Sequence, residues 1–153
     1  MNTYRTTRRV KHSALRMFDL VADVERYPEF VPMCESLGVR KRSGEADGVE
    51  IIIADMTVAY KIVRETFSTR VTLDRPKLAI LVEYLDGPFS HLENRWRFRV
   101  ENEKASEVDF YIAYEFKSKL LGMVMGALFD SAFRRFAEAF EKQADKIYRQ
   151  PAV

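Results

Sequence analysis

Residues 119–148, near the C-terminus, carry an apolar side chain at every third or fourth position: Leu121, Met125, Leu128, Phe129, Ala132, Phe136, Phe140 and Ile147. That spacing is one face of an α-helix. Asp130, Arg134, Glu138, Glu141 and Asp145 fall on the opposite face. At about 1.5 Å per residue such a helix is ~45 Å long, enough to cross a whole small domain, so every other element has to be arranged around it. The first turns break the pattern. Residues 120–129 (LLGMVMGALF) are apolar all round, with Leu120, Met123 and Ala127 on the side that is charged further along. A helix that is apolar on all sides calls for partners on all sides.

What precedes this helix is mostly strand. Asn2 to Lys11 alternates loosely, as an edge strand does. Ser13 is placed to cap a helix whose buried face is Ala14, Leu15, Phe18, Val21 and Ala22. Asp23 is placed to cap a short second turn, VERYPEFVP, which Pro28 and Pro32 keep from lengthening. Residues 34–42 read as a weak strand ended by Ser43 and Gly44, and 49–58 and 60–73 as two more, divided near Ala59. Turns at Asp74–Pro76 and Asp86-Gly87-Pro88 bracket a strand over 78–85. Leu92, Asn94, Trp96, Phe98 and Val100 then alternate with Glu93, Arg95, Arg97 and Arg99, and Val108 to Phe116 repeats the period. Strands met in order through short turns make an antiparallel meander. The fold class is therefore α+β, a curved sheet with one face buried by the long helix.

A chain of 153 residues is one domain by length. One cysteine, Cys34, excludes an internal disulfide and fits a reducing compartment. A formal charge of +2 is too small to argue for nucleic acid, and DNA is not an expected partner. The N-terminus has no apolar segment of the secretory kind and no run reaches ~20 apolar residues. A strand beginning near residue 3 leaves no room for a transit peptide. The expected location is the bacterial cytoplasm, at most peripheral at the inner face of the inner membrane.

Catalytic machinery is not visible. His12 and His91 stand apart from any nucleophile motif, Cys34 has no CxxC partner, and there is no HExxH or glycine-rich phosphate loop. No metal-ligand cluster is seen and no cofactor is expected. Gly122 and Gly126 form a GxxxG outside any membrane span, where small residues let a helix approach a sheet or leave room beneath it. What stands out is a supply of large, adaptable apolar residues: Phe30, Val31, Met33, Phe89, Trp96, Met123, Met125 and Phe129. Singly they fill a core; together they suit the wall of an apolar pocket. Asn94 points the same way as Trp96, and a buried amide there needs a partner from protein, water or ligand.

Four stretches carry a resemblance: MFDLVADVERYPEFVPMC (17–34), ETFSTRVTL (65–73), DGPFSHLENRWRF (86–98) and YEFKSKLLGMVMGALFD (114–130). They are similar to the coenzyme Q-binding protein family, which also contains the bacterial ribosome-association toxin and is a branch of the START-like, polyketide cyclase/dehydrase superfamily. Met33 departs from the pattern at a position where tryptophan is expected. The resemblance implies a single START-like, helix-grip domain over 1–153, a seven-stranded antiparallel sheet around the C-terminal helix with an apolar cavity between them. It also implies a non-enzyme that binds an isoprenoid quinone or similar polyprenyl lipid and supports respiratory electron transport. Carried over by motif, Tyr27, Pro28, Phe30 and Pro32 shape the cavity mouth; Phe89, Asn94 and Trp96 line it from the sheet, and Met125 and Phe129 from the helix. Leu120 and Met123 beside the opening would touch the membrane transiently. The toxin branch implies an alternative partner, the large ribosomal subunit, reached through Arg8, Arg9, Arg40 and Arg42 and blocking subunit association.

Overall fold

Ser13 caps the first helix as its position predicts: its Oγ accepts a hydrogen bond from the Arg16 amide at 3.1 Å, and α1 runs Ala14–Ala22. The computed structural model describes residues 1–44 and 46–148. After α1 comes a 3₁₀ turn, Val24–Glu29. Asp23 precedes it without donating or accepting a side-chain cap; its carboxylate is taken by Arg26 Nε at 3.3 Å instead. Pro28 lies inside this turn and keeps it short.

Seven antiparallel strands make one sheet: β1 (Asn2–Val10), β2 (Cys34–Gly44), β3 (Val49–Tyr60), β4 (Val63–Asp74), β5 (Ala79–Asp86), β6 (Phe89–Asn102) and β7 (Ala105–Phe116). Their order in space is β1-β7-β6-β5-β4-β3-β2. The meander β2–β7 is built from sequence neighbours, and β1 closes it at the far side by pairing with β7. The β3–β4 hairpin turns through Lys61 and Ile62, with Lys61 at φ 56°, so the break falls two residues beyond Ala59. Leu78 takes φ 48°, which holds it out of the strand and starts β5 at Ala79. Gly87 sits at φ +140° with the position of a Cβ only 2.6 Å from Phe67 Cβ. No side chain fits there.

The long helix, α2, runs Lys119–Ile147, with the Ser118 hydroxyl accepting from the Leu121 amide at 3.2 Å. Its buried residues are Met125, Phe129, Ala132, Phe133, Ala137, Phe140 and Ala144. Ile147, counted in the periodic stripe, faces solvent in the last turn. The backbone of α2 comes closest to β7, β1 and α1. The expectation of partners around its first turns fails: Leu120 is 70% exposed, Met123 82% and Val124 56%. Neither glycine marks a tight crossing, since a Cβ on Gly122 would sit 3.8 Å from Phe116 and one on Gly126 would meet nothing within 4 Å. No helix among the described residues is long and apolar enough to cross a membrane.

Candidate functional site

Strand alternation aims Ile52, Ala54, Met56 and Val58 of β3, and Phe67, Thr69 and Val71 of β4, into the concave face. On β6 and β7 the inward residues are larger: Trp96 and Phe98, then Phe110 and Tyr114. Trp96, Phe110 and Tyr114 meet α2 directly. Trp96 lies edge-on to Phe140 with centroids 5.0 Å apart, and Tyr114 to Phe133 at 4.9 Å. Toward β2–β5 no such rings reach the helix, and a cavity of about 70 Å³ is left, bounded on its far side by Leu92, Asn94 and Trp96 of β6 and Ile112 of β7. Its floor is Ala54, Met56, Thr69, Val71, Val82 and Asn94; its roof is Phe129, Ala132, Phe133, Phe136 and Phe140 of α2. Val24, Tyr27, Pro32 and Met33 close the end beneath the 3₁₀ turn. Tyr27, Pro32, Met33, Leu37 and Met56 are only partly buried, which puts the approach from solvent at the turn and the β2–β3 edge.

Five of the nine motif-derived residues form this wall: Tyr27, Pro32, Asn94, Trp96 and Phe129. Four lie off it. Pro28 is on the outer surface of the turn. Phe30 stands behind the wall, edge-on to Phe140 at 5.0 Å and to Tyr27 at 6.2 Å. Phe89 is fully buried at the end of the sheet, stacked on Phe116 at 4.8 Å and edge-on to Phe129 at 5.6 Å. Met125 is buried under the first half of α2, away from the cavity. The wall also contains Met56, Thr69, Val82 and Phe136, none of which belongs to the motif-derived set. The period-two pattern of β4 (Phe67, Thr69, Val71, Leu73) was the available signal for Thr69, a hydroxyl at an inward position.

The wall is poor in polar groups, and most are already engaged. Tyr27 donates its hydroxyl to the Val21 carbonyl at 2.6 Å, and burial raises its phenol above the ordinary range. Asn94 finds its partner inside the protein. Its Nδ2 donates to the Tyr111 carbonyl at 2.9 Å, and its Oδ1 accepts from Trp96 Nε1 at 2.9 Å. One Asn94 N–H is left over. Burial pushes the Cys34 thiol up to about 11, which keeps it protonated and unreactive at neutral pH. His12 is spoken for by Asp145 at 2.7 Å, away from the cavity. Among the described residues no three His, Cys, Asp or Glu side chains come together as a metal site would need.

The arginines implied for a ribosomal contact are likewise engaged. Arg8 turns toward α2 and pairs with Glu141 at 2.6 Å, and Arg9 pairs with Glu101 at 2.8 Å. Arg40 meets Asp55 at 2.9 Å, and Arg42 meets Glu25 at 2.7 Å and Glu50 at 2.9 Å. Each cation is matched by an anion, so these residues do not sum to a basic patch.

Both the sequence and the fold have relatives among known proteins. Residues 10–141 match the family described as polyketide cyclase/dehydrase and lipid transport. The chain is 34% identical over 139 residues to the ribosome association toxin RatA of Vibrio cholerae, covering 91% of this chain and 92% of that one. It is 32% identical over 143 residues to the mitochondrial coenzyme Q-binding protein COQ10 homolog B of Xenopus laevis, covering 90% of this chain and 56% of that protein. The fold alone is shared with the Zhui aromatase/cyclase of Streptomyces sp. R1128, at a TM-score of 0.77, 16% identity and coverage of 97% and 96% of the two chains. With the helix-grip architecture in place and the family matched over residues 10–141, the chain belongs to the polyketide cyclase/dehydrase and lipid transport family.

Proposed function

We propose that this protein is a non-catalytic carrier that holds an isoprenoid quinone, or a similar polyprenyl lipid, in the cavity beneath α2 and so supports respiratory electron transport. The observation that carries this reading is the wall itself: aliphatic, methionine and aromatic side chains, with Thr69, Asn94 and the engaged Tyr27 as its polar members. The hydrophobic effect supplies about 0.8 kcal/mol per buried CH₂, so ten carbons of prenyl chain bring roughly 8 kcal/mol before the cost of making room. Room has to be made. The cavity of about 70 Å³ is smaller than a ~150 Å³ apolar cavity that admits one benzene and well below the ~300–1,000 Å³ of ordinary ligand pockets. Met33 and Met56 at the approach are side chains suited to moving aside.

Transfer requires contact with a membrane. Ile62, 99% exposed at the β3–β4 turn, lies at the same end of the sheet as Leu120 and Met123. Lys61, Lys117 and Lys119 flank these apolar tips, a combination suited to anionic headgroups. The protein then works in the bacterial cytoplasm, peripherally at the inner face of the inner membrane. The second reading, a translation inhibitor on the large ribosomal subunit, is supported by the similarity to the toxin RatA. The neutralised arginines argue against the particular surface first expected for it.

The deciding experiment is extraction of the purified protein with organic solvent and mass spectrometry of the extract, followed by titration with short-chain ubiquinone. Trp96 is the chain's only tryptophan and lies on the cavity wall, so its quenching reports occupancy. Stoichiometric prenyl quinone, or saturable quenching, is expected, together with sedimentation on anionic but not neutral vesicles. An empty extract with no quenching, beside co-sedimentation with ribosomal particles at low salt, would replace the carrier by the ribosomal reading.

A further inference from the structure

Thr69 is the anomaly of the cavity. It is 6% exposed, lines the floor, and sits at an inward position of β4 between Phe67 and Val71. Two outward hydroxyls of the same strand are satisfied across the β3–β4 pair: Thr66 with Thr57 at 2.8 Å, and Ser68 with Asp55 at 2.5 Å. No hydrogen bond of the Thr69 hydroxyl is present among the described residues, and it is not among the oxygens sealed from all access. Thr69 lines the cavity, and its hydroxyl has no other partner among the described residues. A hydroxyl buried without a partner carries a desolvation penalty, whereas valine, its isostere, would carry none.

A second spare donor stands on the same floor. Asn94 keeps one N–H after serving Tyr111 and Trp96. The registers fix the relation between the two. Thr69 pairs with Tyr84 on β5, while Asn94 pairs with Val82, so they stand on either side of β5 and two residues out of step. Strand spacing and rise put their Cα atoms roughly 12 Å apart. A six-membered ring with an oxygen on each of two opposite carbons, plus a hydrogen bond of about 2.9 Å at each end, fills a gap of that order.

We infer that Thr69 and Asn94 form the head-group seat of the cavity, selecting an apolar ligand whose ring carries two opposed carbonyl or hydroxyl oxygens over a lipid of the same tail without them. This rests on the carrier reading and names the part of the ligand that the cavity recognises. The tail then runs toward Met33, Leu37 and Met56, where the cavity approaches solvent. Orientation is set by the floor: head inward, tail outward.

The test is Thr69→Val, with Thr69→Ser as the rescue. Short-chain ubiquinone is titrated against Trp96 fluorescence, and a hydrocarbon of matching length is titrated as its competitor. In Thr69→Val the quinone Kd is expected to rise roughly fivefold, the worth of one hydrogen bond, with the hydrocarbon's affinity unchanged and the unfolding midpoint equal or higher. Thr69→Ser is expected to restore quinone affinity. Equal quinone affinity in wild type and Thr69→Val overturns the seat while leaving the carrier standing. Parallel loss for quinone and hydrocarbon also overturns it, because that is a change of shape. A wild type that binds neither molecule sinks the carrier reading, and the seat with it.

Discussion

The two halves of the concave sheet face the same helix and are filled differently. Beneath β6, β7 and β1 the space is closed by rings. Trp96 lies 4.8 Å from Phe110 and 5.0 Å from Phe140, and Phe110 in turn meets Phe136 at 6.3 Å. Over β2–β5 the inward residues are mostly smaller, Leu37, Ala54, Met56, Val58, Thr69, Val71 and Val82 with Phe67 the one ring on the wall, and the cavity lies over them as far as Asn94 and Trp96 of β6. Both halves belong to one continuous sheet with one hydrogen-bonded ladder, so the difference is one of side-chain volume together with where α2 lies. One half is packed ring against ring, and the other leaves the cavity that the proposed ligand would enter. Interiors pack to near crystal density, so even a cavity of about 70 Å³ is a destabilising feature of the open half.

The closed half should break first and hardest. Phe110 is fully buried among Tyr4, Trp96 and Phe136 and does not line the cavity. Phe110→Ala is expected to cost about 3–5 kcal/mol, read as a lowered urea midpoint with little change in slope. A loss under about 1 kcal/mol would mean that the aromatic half is no tighter than the other. The open half should respond in the opposite currency. Ala54 lies on the cavity floor beside Thr69, so Ala54→Leu places its added carbons in empty space. Stability should move by about 1 kcal/mol or less, while quinone affinity falls at least tenfold, about 1.4 kcal/mol. An Ala54→Leu variant that still binds quinone normally would show that the ligand sits elsewhere.

That comparison also explains which features could be read from the sequence. The alternation on β6 and β7, the Ser13 cap and the length of α2 are local properties, set by residues close in the chain, and each appears where its pattern places it. The break in the β3–β4 hairpin was missed by two residues because Lys61 takes a positive φ that its residue type does not announce. The cavity wall is another matter. Phe89 and Met125 are as buried as any pocket residue, but whether an inward side chain meets the helix or the void depends on where α2 crosses the sheet. That crossing is a long-range property: α2 lies nearest β7, β1 and α1, two of which come from the other end of the chain. Periodicity reports which face a residue is on and is silent about what stands opposite. The same limit explains Leu120, Met123 and Val124, apolar residues for which the described fold provides no cover.

The smallest expected effect concerns a flaw in the closed half. Tyr114 is 1% exposed and packs edge-on to Phe133, yet its hydroxyl has no hydrogen-bond partner among the described residues. Deleting an unpaired buried hydroxyl removes a desolvation cost and leaves the ring contacts intact, so Tyr114→Phe should be neutral or stabilise by up to about 1 kcal/mol. The pH dependence sharpens this. Burial, helped by the nearby Asp130 carboxylate, pushes the Tyr114 phenol up to about 12. The folded state therefore holds its proton more tightly than the unfolded chain, whose tyrosines ionise near ~10. Below that pH both states are protonated and the difference between variant and wild type is constant. Between ~10 and ~12 the unfolded wild type gains by ionising and the folded wild type does not, so the wild type loses stability there that Tyr114→Phe retains. Urea unfolding of both proteins at neutral pH and near pH 11 measures it. A gap that stays flat or narrows would mean that water or a side-chain movement satisfies the hydroxyl, and that the closed half is looser than its rings suggest.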